Sequence, residues 1–285
     1  MRLGSFVAEG RERFGIVKDD GLIDLSLRIE APSLRLAVAS GIDAIKPYEG
    51  EPVDWSLDQV RWLPTIPDPV HLVALGLNTK SHFEETAELM NRTPGDYPKY
   101  PRLFLRSPLS VVGHEEHVRR PQVSSRLDYE GEIALVIGTS GRYVPVEDAL
   151  ASVAGVTCAN DGSIRDFQRH TDQITAGKSF PASGALGPWM TTLDEIGDLD
   201  DLCLDVRVNG ETRQRCTTDD LIFSFAEMVS YLSTVFALQP GDVILSGSPA
   251  GVGALSNAWL APGDEVEVEV SGVGVLRNVV ADEER

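Results

Sequence analysis

Three carboxylates alternate along the segment LDYEGEIALVIG. Successive residues of a strand point to opposite faces, so Asp128, Glu130 and Glu132 would share one face. The apolar run Ile133–Ile137 that follows has no polar face and predicts a fully buried strand. A buried carboxylate usually takes up a proton, pairs with a cation or coordinates a metal. The alternative is a solvated strand end, as the strict alternation of Glu265–Val270 predicts elsewhere in the chain.

A further carboxylate, Asp161, follows a second apolar run in the segment ASVAGVTCANDGS. Because buried strands bring their ends to one edge of a sheet, Asp161 is a candidate companion of Glu130 and Glu132. The three carboxylates would form an all-oxygen ligand set, which suits Mg²⁺ or Mn²⁺ with water in the remaining positions. The alternative is a simple turn, which Asn160-Asp161-Gly162 also predicts.

The segment GLNTKSHFEETAELM predicts a helix that Ser81 caps. His82 and Glu85 lie three residues apart and would share one face of this helix. A carboxylate beside an imidazole orients the ring and raises its basicity, which suits a general base that activates water. An exposed ion pair on the helix surface is the alternative.

Lys178 lies in a loop rich in Gly, Ser and Pro, where an ammonium group could reach a substrate carboxylate or a developing oxyanion. A solvated loop lysine is the alternative. Other catalytic patterns are missing from the sequence: SGSPAGVG lacks the Lys-Ser/Thr of a phosphate-binding loop, and neither GxGxxG nor GxSxG occurs. His114 and His117 lie in a polar loop, and their spacing differs from the HExxH of helical zinc sites.

The composition is that of an acidic globular protein. The 285 residues include 25 Lys and Arg against 44 Asp and Glu, which gives a formal net charge of -19, and 42% are hydrophobic. We therefore expect neither a nucleic-acid nor a membrane partner, and an anionic metabolite would need a local cationic group. The chain shows no signal-peptide or membrane-spanning pattern, and its three scattered cysteines predict no disulfide framework. We expect a cytoplasmic protein.

Turn signals divide the chain into two predicted parts. Residues 1–65 contain two short strands around an Asp-Gly turn, in RFGIVKDDGLIDLS, and a helix that ends at glycine, in SLRLAVASGIDAI. This pattern predicts a small N-terminal α+β domain, and the prolines of RWLPTIPDPV mark its end. Residues 66–285 consist mainly of short apolar runs separated by glycine, with few helices, which predicts a β-rich α+β domain.

Several motifs, taken in order, resemble the fumarylacetoacetate hydrolase family: GLNTKSHFEE, DYEGEIALVIG, VAGVTCANDGSIRDFQ, GKSFPASGALGPW and SYLSTVFALQPGDVILSGSPAGVG. The resemblance implies a β-rich roll of mixed sheets over residues 66–285, preceded by a small N-terminal domain. It also implies a homodimer that binds Mg²⁺, Mn²⁺ or Ca²⁺. By this resemblance the metal ligands are Glu130, Glu132 and Asp161, and Arg165 orients these carboxylates.

The resemblance also implies the chemistry. His82 and Glu85 would form a lid dyad that activates water over the substrate, while Lys178 and Gln168 would contact the substrate oxyanion and carboxylate. The implied reaction is hydrolysis of a carbon–carbon bond in a 2,4-dioxo acid of acylpyruvate or fumarylpyruvate type. Isomerisation of a 2-hydroxydienedioate and decarboxylation of a 2-oxo acid such as oxaloacetate are alternatives on the same site. A binding protein that has lost turnover is the alternative of another class.

Several positions differ from the common family pattern. Thr79 replaces a common tyrosine, Arg106 a common lysine and Ser248 a usual threonine, and the Asp161 motif also differs at Gly162 and Ile164. We expect Thr79, Arg106 and Ser248 to contact the substrate. A smaller wall at Thr79 and an added guanidinium at Arg106 would suit a dicarboxylate, with a structural ion pair as the alternative for Arg106.

Overall fold

A computed structural model describes residues 1–284 of the chain. The strands are β1 Arg2–Ala8, β2 Arg11–Lys18, β3 Gly21–Asp24, β4 Arg61–Trp62, β5 Leu72–Gly76, β6 Arg102–Leu105, β7 Val111–Val112, β8 Val118–Arg120, β9 Leu127–Asp128, β10 Gly131–Ile137, β11 Val153–Asn160, β12 Ser163–Ile164, β13 Gly184–Thr192, β14 Cys203–Val208, β15 Glu211–Thr217, β16 Val243–Leu245, β17 Glu265–Val270 and β18 Gly274–Asp282. The α-helices are α1 Leu34–Val38, α2 Lys80–Glu85, α3 Val146–Ala149, α4 Arg165–Gln168, α5 Thr175–Lys178, α6 Leu193–Ile196, α7 Phe225–Val235 and α8 Gly253–Ser256. None of the helices described is both long and apolar enough to cross a bilayer.

The β10 strand lies in the middle of the larger sheet, whose order is β3-β2-β1-β13-β11-β10-β16-β5-β6. All seven of its residues are buried. Leu135 packs into a cluster with residues of the second sheet, such as Val206, whereas Ala134 and Val136 pack into a different cluster on the opposite face. Both faces of β10 are therefore covered, which explains why the strand reads as an unbroken apolar run.

The second sheet has the order β15-β14-β17-β18-β8 and covers one face of the larger sheet. Along β17 buried valines alternate with partly exposed glutamates, as the sequence pattern predicted. The glutamate face is not merely solvated, because Glu267 bonds to Arg207 at 2.8 Å and to Arg277 at 2.8 Å. The prediction of a β-rich α+β fold is confirmed.

The N-terminal segment joins the larger sheet directly. The β1 strand pairs with β13 through Arg2 and Leu3, and the N-terminal ammonium group donates to Thr192 Oγ1 at 2.6 Å. Apolar residues of the segment, among them Leu34, share one buried cluster with residues of β10 and β16. The boundary at residue 65 stays a prediction, and the pairing shows that the two parts share a sheet and a core.

We expect the N-terminal segment and the rest of the chain to unfold together because of this shared core. Leu3 is fully buried and pairs with Met190 of β13. Leu3→Ala should lower the free energy of unfolding by about 2–5 kcal/mol in a single transition, measured by denaturant unfolding. Leu27→Ala, at a leucine that is 61% exposed, is the matched control and should change it by less than about 0.5 kcal/mol. Two separate transitions, with only one shifted by Leu3→Ala, would show an independent N-terminal domain.

Candidate active site

The pairing of β10 with β11 brings the three candidate ligands together. Gly131 lies opposite Asn160, which places Glu130 and Glu132 beside the end of β11, where Asp161 follows. The turn is fixed by two further bonds: the Asp161 amide donates to Glu130 O at 2.7 Å, and the Glu130 amide donates to Asn160 Oδ1 at 3.1 Å. Asp161 therefore ends a strand next to the other two carboxylates rather than forming an isolated turn.

The carboxylates of Glu130, Glu132 and Asp161 form a buried cluster. One oxygen from each lies within 4.8 Å of the others. Burial, together with the negative charge of Asp161, raises the pKa of Glu132 well above its usual range. Within residues 1–284 Glu132 forms no ion pair, and its carboxylate accepts a hydrogen bond from the Gly247 amide at 2.6 Å. A buried carboxylate without a cationic partner, in an all-oxygen set, fits a hard divalent cation such as Mg²⁺ or Mn²⁺.

Three basic side chains surround the other two carboxylates. Lys178 donates to both Glu130 and Asp161, Arg165 Nη2 lies 2.6 Å from Glu130, and Arg106 Nη1 donates to Asp161 at 2.5 Å. Burial opposes ionisation of Glu130, but the charges of Arg165 and Lys178 hold the pKa of this carboxyl below its usual range. Glu130 is therefore a carboxylate, and its negative charge is compensated.

Asp128 lies outside the cluster, contrary to the expectation that it shares a face with Glu130 and Glu132. The alternation fails because β9 ends at Asp128 and pairs with β12, while β10 begins at Gly131. The Asp128 carboxylate instead accepts from Arg165 Nε at 2.8 Å and from the Gly253 and Ala254 amides at 2.9 Å each. Asp128 thereby holds Arg165 against Glu130.

His82 and Glu85 are joined on α2. His82 Nδ1 and Glu85 Oε2 are 2.9 Å apart, and the other Glu85 oxygen accepts from the Gly251 amide at 2.8 Å. The imidazole is thus fixed through one nitrogen, while the His82 side chain lines the same cavity as the carboxylate cluster. The helix ends at Glu85, earlier than the segment through Met90 suggested. The dyad is not an exposed surface pair, because His82 is 8% exposed.

The residue that caps α2 is Thr79, not Ser81 as the sequence suggested. Thr79 Oγ1 accepts from the His82 amide at 3.4 Å and donates to Ser248 O at 2.7 Å. Ser81 instead bonds through its amide and hydroxyl to Asp220, at 3.0 and 2.5 Å. Asp220 thus fixes the start of the dyad helix. Sequence reasoning missed it because Asp220 lies more than a hundred residues away along the chain.

The cavity over the cluster has a volume of about 310 Å³. Of the residues expected to bind the substrate, Gln168, Lys178 and Ser248 line it. The Gln168 side chain also accepts from Arg165 at 3.0 Å. Lys178 donates hydrogen bonds to the Glu130 carboxylate, to Asp161 Oδ2 and to the Asp161 backbone carbonyl. All three of its donors are therefore occupied by Glu130 and Asp161. Its contact with a substrate oxyanion stays a prediction.

Arg106 and Thr79 are not among the residues that line the cavity, and their expected contact with the substrate stays a prediction. Arg106 is 3% exposed and also bonds to Gly162 O, Ser110 and Ser183. The Arg106 guanidinium is engaged by Asp161 and these neighbours, an arrangement that agrees with the alternative of a structural ion pair. Thr79 is a helix cap. Gly162 suits this packing, because a Cβ there would lie 1.9 Å from Ser183 O.

Comparison with known proteins identifies the family. Residues 71–281 match the fumarylacetoacetate (FAA) hydrolase C-terminal family. The chain belongs to this family. Its members with related sequences include oxaloacetate tautomerase YisK of Bacillus subtilis, which is 36% identical over 79% of this chain and 75% of that protein.

Solved structures of the family have the same fold. A 5-carboxymethyl-2-hydroxymuconate delta-isomerase from Mycobacterium smegmatis is 30% identical, with a TM-score of 0.79 over 99% of this chain and 100% of that one. Maleylpyruvate hydrolase from Sphingobium sp. SYK-6, solved with manganese(II) and pyruvate, is 26% identical, with a TM-score of 0.81 over 100% of both chains. Proteins with this architecture therefore carry hydrolase, isomerase and tautomerase names.

We expect Mn²⁺ to stabilise the protein through the carboxylate cluster. At a concentration about 100 times its dissociation constant, the cation should add about 2.7 kcal/mol to the free energy of unfolding, seen as a higher melting temperature. Glu132→Gln should abolish this increase. It should not destabilise the metal-free protein, because burial and the charge of Asp161 raise the pKa of Glu132 and so favour its uncharged form, which the uncharged Gln side chain replaces.

The matched control is Glu265→Gln, at a partly exposed glutamate of β17. This variant should keep the full response to Mn²⁺. An undiminished response in Glu132→Gln would place the cation elsewhere, and a large loss of stability without metal would contradict the electrostatic reading of Glu132.

Proposed function

We propose that this protein is a divalent-metal-dependent hydrolase that cleaves a carbon–carbon bond in a 2,4-dioxo acid of acylpyruvate or fumarylpyruvate type. The observation that carries the proposal is the His82–Glu85 dyad. One imidazole nitrogen is bonded to Glu85, and the side chain lines the cavity beside the buried carboxylates. This arrangement suits a base that takes a proton from water at the edge of the cluster.

Charge accounting supports an anionic substrate at the inner end of the cavity. Four buried carboxylates, from Asp128, Glu130, Glu132 and Asp161, face three cations, from Arg106, Arg165 and Lys178. With all four carboxylates ionised, a divalent cation would change the formal net charge of this group from about -1 to about +1. Glu130, Glu132 and Asp161 would hold that cation, whose role is Lewis-acid stabilisation of the negative charge that develops on a 2-oxo acid.

The remaining steps of the proposed hydrolysis depend on the His82–Glu85 dyad. His82 accepts the proton of a water molecule, and the hydroxide adds to the carbonyl carbon distant from the 2-oxo acid. The bond between this carbon and its neighbour breaks, and its electron pair stays with the 2-oxo acid fragment. That fragment takes up one proton, so the products are pyruvate or a related 2-oxo acid and a carboxylic acid. Glu85 stabilises the positive charge on His82 during the transfer.

A tautomerase or isomerase is the second candidate. The relationship to an oxaloacetate tautomerase at 36% identity and to a muconate isomerase at 30% identity supports it. The same carboxylate cluster would serve, and His82 would move a proton between carbon and oxygen without a water molecule. Decarboxylation of a 2-oxo acid also stays an alternative on this site. Assembly as a homodimer and a place in the breakdown of aromatic compounds are proposals that follow from the family.

We expect the Mg²⁺- or Mn²⁺-loaded enzyme to convert acetylpyruvate or fumarylpyruvate into pyruvate and the matching acid, measured by chromatography of both products. His82→Ala should lower kcat by about 10²–10⁴-fold, because it removes the general base. EDTA should abolish turnover of the wild-type enzyme.

His117→Ala is the matched control for loss of an imidazole, because the side chain of this exposed histidine bonds only to Val279 O among the described residues. It should keep wild-type turnover. Exchange between the enol and keto forms of oxaloacetate, with no acid released from either dioxo acid, would favour the tautomerase instead.

A further inference from the structure

Two arginines at the mouth of the cavity have no acidic partner among residues 1–284. Arg102, from β6, and Arg169, directly after α4, both line the cavity and both are exposed. Within residues 1–284 neither side chain forms an ion pair or a hydrogen bond to the protein. In a chain with 44 acidic residues against 25 basic ones, two unpaired guanidinium groups beside the same opening are a local reversal of the overall charge.

The charged groups of the cavity fall into an inner and an outer set. The inner set consists of buried residues, in which Arg106, Arg165 and Lys178 pair with Glu130 and Asp161. The outer set consists of the exposed Arg102, Arg169 and Asp172. Asp172 forms no ion pair within the described residues, so the outer set keeps a net positive charge of its own.

A third guanidinium adds to this positive field. Arg92 follows the lining residues Leu89 and Met90, and its Nη1 atom is buried without a hydrogen-bond partner. Burial and the positive charge of Arg102 lower the pKa of Arg92. The two guanidinium groups therefore repel each other, and neither forms an ion pair within residues 1–284. Such an arrangement costs free energy unless an anion compensates it.

We propose that Arg102 and Arg169 bind a second carboxylate of the substrate, so that the site prefers dicarboxylates over monocarboxylates. The inference rests on the proposed function, which puts the 2-oxo acid end of the substrate at the buried cluster. The far end then lies toward the mouth. A guanidinium there gives a carboxylate paired, charge-assisted hydrogen bonds. The role in selectivity that the sequence suggested for Arg106 belongs to these two residues.

Binding is measured without turnover, in Mn²⁺-loaded protein that carries His82→Ala. The probes are fumarylpyruvate, with two carboxylates, and acetylpyruvate, with one, each titrated calorimetrically. We expect Arg102→Gln and Arg169→Gln each to weaken fumarylpyruvate binding by about tenfold and to leave acetylpyruvate binding unchanged within about twofold. Combining both substitutions should remove the preference for the diacid.

Arg142→Gln is the matched control, because this exposed arginine also has no ion pair among the described residues and does not line the cavity. It should leave both affinities unchanged. Equal weakening of both ligands, or no weakening of fumarylpyruvate, overturns the assignment of Arg102 and Arg169 while leaving the proposed function intact. If neither ligand binds, although Mn²⁺ still stabilises the protein, the proposed function fails and the inference fails with it.

Discussion

The buried negative charge where β10 begins is the constraint on which the rest of the site depends. Several carboxylates within a few ångströms of one another are tolerated in a protein interior only when cations compensate them. Here each compensating cation comes from a different part of the chain: Arg106 follows β6, Arg165 begins α4 and Lys178 ends α5. The loops and short helices around the cluster are thus held by the charges that they neutralise. The same ion pairs therefore position these loops and helices and set the charge of the site.

A single glycine-rich loop joins the cluster to the dyad. In SGSPAGVG the Gly247 amide bonds to Glu132 and the Gly251 amide to Glu85. The same loop receives the Thr79 hydroxyl at Ser248 O. Gly247 and Gly251 both have a φ of 103°, which residues with a Cβ rarely adopt, and a Cβ at Gly251 would lie 2.0 Å from Arg213 O. This close backbone approach lets one loop contact both the carboxylate cluster and the His82–Glu85 dyad.

The sequence predicted the features that depend on local pattern. The apolar run of β10, the alternation of β17 and the approach of Asp161 to Glu130 all follow from periodicity and the ends of buried strands. The His82–Glu85 pair follows from helical spacing. Family motifs then decided between a solvated strand end and a ligand set, which spacing alone left open.

What the sequence did not show depends on contacts between distant residues. The residue type of Arg106 differs from the family pattern and predicts a substrate contact, whereas only the fold reveals that Asp161 and Ser183 bond to it. The capping role of Thr79 likewise depends on Ser248 O, far along the chain. The pairing of β1 with β13 is also nonlocal, and no turn signal near residue 65 carries information about it.

The carboxylate cluster and the His82–Glu85 dyad are held in place by different contacts, which is relevant to the range of reactions in the family. The cations that compensate the cluster contact Glu130 and Asp161, whereas the dyad is fixed by backbone amides, Thr79 and Asp220. A substitution in α2 could therefore alter the reaction of a 2-oxo acid at this site without removing any charge from the cluster. In the proposed function the cluster holds the 2-oxo acid end of the substrate, the dyad determines whether water takes part, and Arg102 and Arg169 contact the far end. Because these three groups rest on different contacts, a single carboxylate framework is compatible with the hydrolase, isomerase and tautomerase names that related chains carry.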